Sequence, residues 1–300
     1  MDSGLDHYHL TPHSMKTPGF RFLRVSLLLS LTWLCGWTGV SLAQPPLLLG
    51  VHPYLQKDEI IRRFTPLADY LSAELNRPVE VRVGKDYQAH LQAIGNDDID
   101  IAYLGPSLYV ETTKLFGSKP LLARLEANGK PTFQGHIIIR QNSPMRRLTD
   151  LKNHYFAFGD PESTMSSLVP QAMLLQNGIK LSDLSGYRHY DGHVNVALAV
   201  LSGDADAGAV KEEVFDKYQP RGLRSLQATP AISEHLFVTR SNLSWPLVEK
   251  IRVLMLGLRT PKAVNKILKP IKKTATGLVE VEDSDYDSLR RILDTLARGQ

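Results

Sequence analysis

Cysteine is almost absent from this chain. Its 300 residues hold one, Cys35, inside an apolar N-terminal segment. Removal of that segment would leave no thiol, which excludes disulfides, thiolate metal sites and cysteine nucleophiles. Runs of lysine and arginine are missing too. A net charge of +4 without such a run gives no nucleic-acid stripe, though it suits a protein that meets small anions. There is no H-E-x-x-H, no clustered His/Asp ligand set and no G-x-S-x-G elbow. These absences leave no metal site and no cofactor to expect. Internal repeats, low-complexity tracts and Pro/Gly-rich linkers are lacking as well. Past the N-terminal segment no stretch is long and apolar enough to span a bilayer.

The remainder has ordinary globular composition. With 43% hydrophobic and 22% charged residues, it can bury one large core or two modest ones. Met1–Ser14 is polar and dotted with histidine, and a second methionine, Met15, opens a more coherent segment. Lys16, Arg21 and Arg24 precede the apolar run Val25–Trp37, and Ser41-Leu42-Ala43 supplies the small-x-small pattern of a cleavage point. The order is that of a secretory signal peptide with Met15 as the start, so that 1–43 comprises an N-terminal extension and the signal. An uncleaved anchor is the alternative. A lipoprotein fits poorly, because Leu34 is bulky where a small residue should precede Cys35.

From Leu47 onward, strand and helix patterns alternate. Leu47–Val51 reads as a buried strand. Asp58–Leu75 carries apolar residues at helical spacing. Val79–Val83 reads as a strand, Tyr87–Ile94 as a helix and Asp100–Leu104 as a strand stopped by Gly105-Pro106. A second block repeats the alternation with strands at Phe133–Arg140, Tyr155–Phe158, Tyr187–Tyr190 and Ala205–Val210. Leu236–Thr239 follows as a strand, then helical patterns at Pro246–Leu258 and Ser284–Leu296. Such alternation predicts two α/β units with mostly parallel sheets. Phe133–Arg140 and Leu236–Arg240 are the expected joining strands. The C-terminal helices are expected to pack back on the first unit.

The stretch Phe158–Pro170, FGDPESTMSSLVP, stands out. An apolar strand ends, a Gly-Asp-Pro turn follows, and four hydroxyls precede a helix. The first amides of a helix lack partners and sit at its positive dipole end. Hydroxyls beside them make a site for a phosphate-like group without any lysine. An ordinary N-cap also uses a hydroxyl, but only one. Ligands in open α/β sheets lie beyond the carboxyl ends of strands. Candidates there are His52 and Tyr54, then Tyr103, then Ser163, Thr164 and Ser166, then His193 at another helix start, and Asp206. As a carboxylate, Asp206 would accept a hydrogen bond from a P–OH, repel sulfate, and welcome an ammonium group on the guest.

Laid out in order, these pieces resemble the PhnD-like family, the periplasmic substrate-binding components of phosphate, phosphite and phosphonate ABC importers. The resemblance runs from Leu49 to about Leu296. It rests on Gly50-Val51-His52-Pro53-Tyr54, Phe64–Leu71, Asp100–Pro106, Asp150-Leu151-Lys152, Phe158–Thr164, His193 and Gly203–Ala209. It implies a two-lobed type II periplasmic-binding fold, with lobe I formed by 44–138 plus 238–300 and lobe II by 139–237. It implies a small oxyanion bound in the interlobe cleft by Tyr54, Tyr103, Ser163, Thr164, Ser166, His193 and Asp206. It also implies a permease partner in the inner membrane and no catalysis. Met165 intrudes on the family's hydroxyl run, Ser167 stands where glycine is common, and Val194 stands where aspartate is frequent. A sensor that hands its liganded state to a membrane receptor or kinase would keep the fold and change the output. A hydrolase would need Ser163, His193 and Asp206 to work as a triad.

Overall fold

The computed structural model describes residues 44–299, and the expected export segment over 1–43 lies outside them. Among the described residues no helix is long and apolar enough to cross a membrane. In chain order the strands are β1 (Leu47–Val51), β2 (Val79–Val83), β3 (Ile101–Leu104), β4 (Leu121–Ala127), β5 (Thr132–Phe133), β6 (Gly135–Arg140), β7 (Tyr155–Phe158), β8 (Gly186–His189), β9 (Ala207–Lys211), β10 (Leu223–Ala228), β11 (Ile232–Ser233), β12 (Leu236–Thr239) and β13 (Ala275–Val279). The longer helices are α1 (Lys57–Leu75), α2 (Tyr87–Gly95), α3 (Pro106–Phe116), α4 (Val169–Gln176), α5 (Gly192–Ser202), α6 (Glu212–Tyr218), α7 (Trp245–Leu256) and α8 (Asp287–Gly299).

Two large sheets form. One runs β13-β4-β12-β3-β1-β2, the other β10-β6-β9-β7-β8. In the first, β1 pairs in parallel with β2 and β3, as βα units dictate. In the second, β7 pairs in parallel with β8 and β9. The sheets are nevertheless mixed rather than mostly parallel. Strand β12 enters between β3 and β4 and runs against both. Strand β6 likewise runs against β9 and β10. Both arrive from the opposite sheet, so they enter from the end at which their neighbours finish. The two crossing segments pair with each other as β5 and β11, with Phe133 opposite Ile232.

Helix α1 shows how local pattern becomes packing. Ile60, Phe64, Leu67, Ala68 and Leu71 fall on one face and are buried. The helix ends at Asn76, whose left-handed backbone (φ 50°) lets the next amides return to Ser72 and Ala73. Helix α7 packs on α1 and β4 of the first sheet, as expected. Helix α8 does not follow it. It crosses to lie against α4 of the second sheet, with a smaller contact to α3. Leu289 is fully buried in a core cluster that draws residues from both sheets and their helices. Leu289→Ala should therefore cost about 2–5 kcal/mol, read as a lower urea midpoint.

Candidate functional site

Beyond β7 the chain turns at Gly159 and runs back toward α4. Pro170 has no amide hydrogen, so the Ser166 carbonyl lacks its helical partner. The Gly159 N–H takes it instead at 2.9 Å. Only glycine fits there, since a Cβ would lie 2.4 Å from Ser166 Oγ. The turn Thr164–Leu168 is π-wide, and the amides of Ser167 and Leu168 both reach Ser163 O, at 3.1 and 3.0 Å. The amides of Thr164, Met165 and Ser166 precede that ladder, at the positive end of α4.

This turn meets the first sheet at a small cavity. His52 and Tyr54 after β1, Tyr87 at the start of α2, and Gly105 and Ser107 at the start of α3 line one wall. Ser163, Thr164, Met165, His193 and Lys211 line the other, and Phe133 and His235 come from the crossing segments. The space open to the centres of water-sized spheres is about 30 Å³, room for about two waters. Ser107 and Thr164 join the walls. The Ser107 amide donates to Thr164 Oγ1 at 3.0 Å, Thr164 Oγ1 donates to Ser107 Oγ at 2.8 Å, and Ser107 Oγ donates to Glu162 O at 2.6 Å. Gln88 Nε2 adds a bond to Glu162 Oε1 at 3.0 Å.

Hydrogen-bond partners define what each imidazole offers. His193 Nδ1 accepts from the Lys211 amide at 3.1 Å, so the neutral ring carries its proton on Nε2. Burial first, then Lys211 and His235, hold this imidazole well below its usual pKa. His235 Nδ1 donates to Glu234 Oε2 at 2.8 Å. Its Nε2 then presents a lone pair toward Gly105, beside that of His52, whose Nδ1 donates to Tyr103 O at 3.3 Å. Burial also pushes the phenols of Tyr54 and Tyr87 up, so both stay protonated. Glu234 is wholly buried. Burial alone would raise its carboxyl, but the Lys272 ammonium and His235 hold it at about 2. Among the described residues, no group of three or more His, Cys, Asp or Glu side chains is placed to hold a metal ion.

The family described as "ABC transporter, phosphonate, periplasmic substrate-binding protein" matches residues 49–286. The chain belongs to that family. The phosphate-import protein PhnD of Mycolicibacterium smegmatis is 25% identical over 271 residues, covering 82% of this chain and 84% of the relative. The phosphonates-binding periplasmic protein of Escherichia coli is 28% identical over 200 residues, 63% of this chain and 59% of the relative. The structure of PhnD1 from Prochlorococcus marinus, solved with methylphosphonate, superposes with a TM-score of 0.75 at 22% identity, over 84% of this chain and 98% of that one. The fold is the two-sheet type II binding fold of these periplasmic proteins.

In this family member the cavity gathers Tyr54, Ser163, Thr164 and His193 from the residues expected of it. Three others sit elsewhere. Tyr103 is buried behind the wall, stacked on His52 and His235 with centroids 5.7 and 5.2 Å away. Ser166 Oγ donates to Ala209 O at 2.5 Å inside the core. Asp206 precedes β9 and so lies at the amino end of the strand. There it accepts from the Tyr155 amide at 2.9 Å and meets Arg140 at 3.4 Å. The carboxyl end of the same strand is Lys211, which reaches the cavity. The strand starts two residues and ends one residue later than its apolar pattern suggests, and on either placement the strand-end rule points to Lys211 rather than Asp206. Tyr87, Ser107, Phe133 and His235 carried no motif of their own.

Ser166→Ala should cost about 1–3 kcal/mol of stability and leave anion affinity unchanged. Asp206→Asn should also leave affinity unchanged, measured by calorimetry. Glu234 adds a pH dependence. Its folded pKa lies below the unfolded value of about 4.3, so its contribution is complete above that value and is lost as pH falls toward about 2. Glu234→Gln should lower stability at pH 7 by about 3–5 kcal/mol and flatten the acid limb of a denaturation series.

Proposed function

We propose that the protein captures a small phosphorus oxyanion between its two sheets and presents the closed form to the membrane permease of an ABC importer. The carrying observation is the convergence of donors at the sheet junction. Ser163, with Thr164 and Met165 of the Thr164–Leu168 turn, lines the same cavity as His193, whose proton is on Nε2, and as Tyr54 and Tyr87. A tetrahedral anion satisfies such donors without a metal. His235 Nε2 supplies an acceptor for a P–OH, the task assigned on sequence grounds to Asp206.

In this reading 44–138 with 238–300 is one lobe and 139–237 the other, apart from α8, which rides on the second. The paired crossing segments around β5 and β11 act as the hinge. Within residues 1–43 the export signal starts at Met15 and is cleaved after Ala43. The protein binds without catalysis. A hydrolytic triad finds no support in the geometry, because His193 Nδ1 accepts from an amide and faces no carboxylate, while Asp206 pairs with Arg140.

Calorimetry against phosphate, phosphite, methylphosphonate and sulfate tests the proposal. At least one phosphorus oxyanion should bind in preference to sulfate, and no binding of any would refute it. Ser163→Ala should weaken that binding by about 1–3 kcal/mol with an unchanged circular dichroism spectrum.

A further inference from the structure

Lys211 is a charged side chain that neither the hydroxyl-rich turn nor the hinge requires. It is the last residue of β9, and His193 Nδ1 anchors its amide. Its ammonium lies 5.0 Å from the centroid of the Tyr54 ring, across the junction between the sheets. The Glu213 carboxylate is 3.5 Å away, longer than a strong charge-assisted bond.

The charges around Lys211 pair off behind the cavity wall, while its own side chain lines the cavity. Arg63 and Lys272 add two cations, and Glu213 and Glu234 are the two carboxylates in its field. Glu234 is engaged by Lys272 and by His235. Arg63 is in turn held by Glu59 at 2.6 Å, so these charges pair off, and of them Lys211 is the one that lines the cavity. Among the described residues no aspartate or glutamate lines the cavity. A guest ammonium would therefore find no carboxylate there and would meet another ammonium in a poorly hydrated space, where like charges repel strongly. The cavity of about 30 Å³ also leaves little room for an organic tail.

We propose that Lys211 makes this cavity selective for compact oxyanions and against guests bearing an ammonium group. This rests on the oxyanion-cleft reading above, and it reverses the selectivity that a carboxylate at Asp206 would have produced.

The test uses wild-type protein, Lys211→Met and Lys211→Arg, each checked by thermal melting. Phosphite and phosphate are titrated directly. Ethylphosphonate and aminomethylphosphonate, similar in size and differing by the ammonium group, then compete against whichever anion binds. In the wild type, aminomethylphosphonate should bind at least about tenfold more weakly than ethylphosphonate. Lys211→Met should bring that ratio toward one and weaken the direct anion by about 10–100-fold. Lys211→Arg should keep both properties. Equal or tighter binding of aminomethylphosphonate to the wild type overturns the inference. So does Lys211→Met leaving the direct anion's affinity unchanged, and that arm alone decides if neither tailed compound competes. Absence of all oxyanion binding overturns this inference and the functional reading together. Oxyanion binding without the Lys211 effects overturns this inference only.

Discussion

A missing amide hydrogen at Pro170 governs the shape of the cavity. It leaves the Ser166 carbonyl without a helical partner, and the Gly159 N–H claims it. That bond folds the turn after β7 back on the start of α4. It sends Ser166 into the core, where its hydroxyl is satisfied by Ala209 O. It also leaves Ser163 and Thr164 at the rim, facing the first sheet. A normal helix start would have offered one capping hydroxyl. The widened turn offers amides and hydroxyls together, and places them where two sheets meet.

The second constraint is the disposition of charge around that meeting point. Glu234 sits fully buried in a crossing segment and is tolerated because Lys272 and His235 satisfy it. That pairing assigns the proton on His235 to Nδ1 and so turns Nε2 toward the cavity as an acceptor. On the opposite side the Lys211 amide fixes His193 in the other tautomer, as a donor. Two imidazoles thus present opposite polarity to one small space. Neither assignment depends on a charged ring, because burial keeps both neutral.

Much of the fold was legible in the sequence. Leu47–Val51, Lys57–Leu75 and Tyr155–Phe158 lie where the apolar spacing puts them, within a residue or two. The strands Leu121–Ala127, Leu223–Ala228 and Ala275–Val279 were not legible. They carry Arg124, Glu126, Arg224, Gln227 and a glycine, and owe their strand state to partners remote in the chain. The site divides in the same way. Ser163, Thr164, His193 and Tyr54 belong to motifs that announce a strand end or a helix start. Phe133 opens a stretch legible as a joining strand but carries no mark of a lining role, and His235, just before Leu236, sits in a segment that looks like a loop until both sheets exist.

Local pattern determined much of the strand and helix alternation and the hydroxyl-rich helix start, because each depends on residues close in the chain, and the order of such pieces along the whole chain determined the family. Tertiary structure decided which side chains line the cleft: Asp206 is held by the Tyr155 amide and Arg140, and Lys211 lines the cavity. Residues 206 and 211 lie at opposite ends of one strand, whether it is read as Ala205–Val210 or as Ala207–Lys211. The sign of the charge that a guest meets is set by the packing of two sheets, which no short stretch of sequence contains.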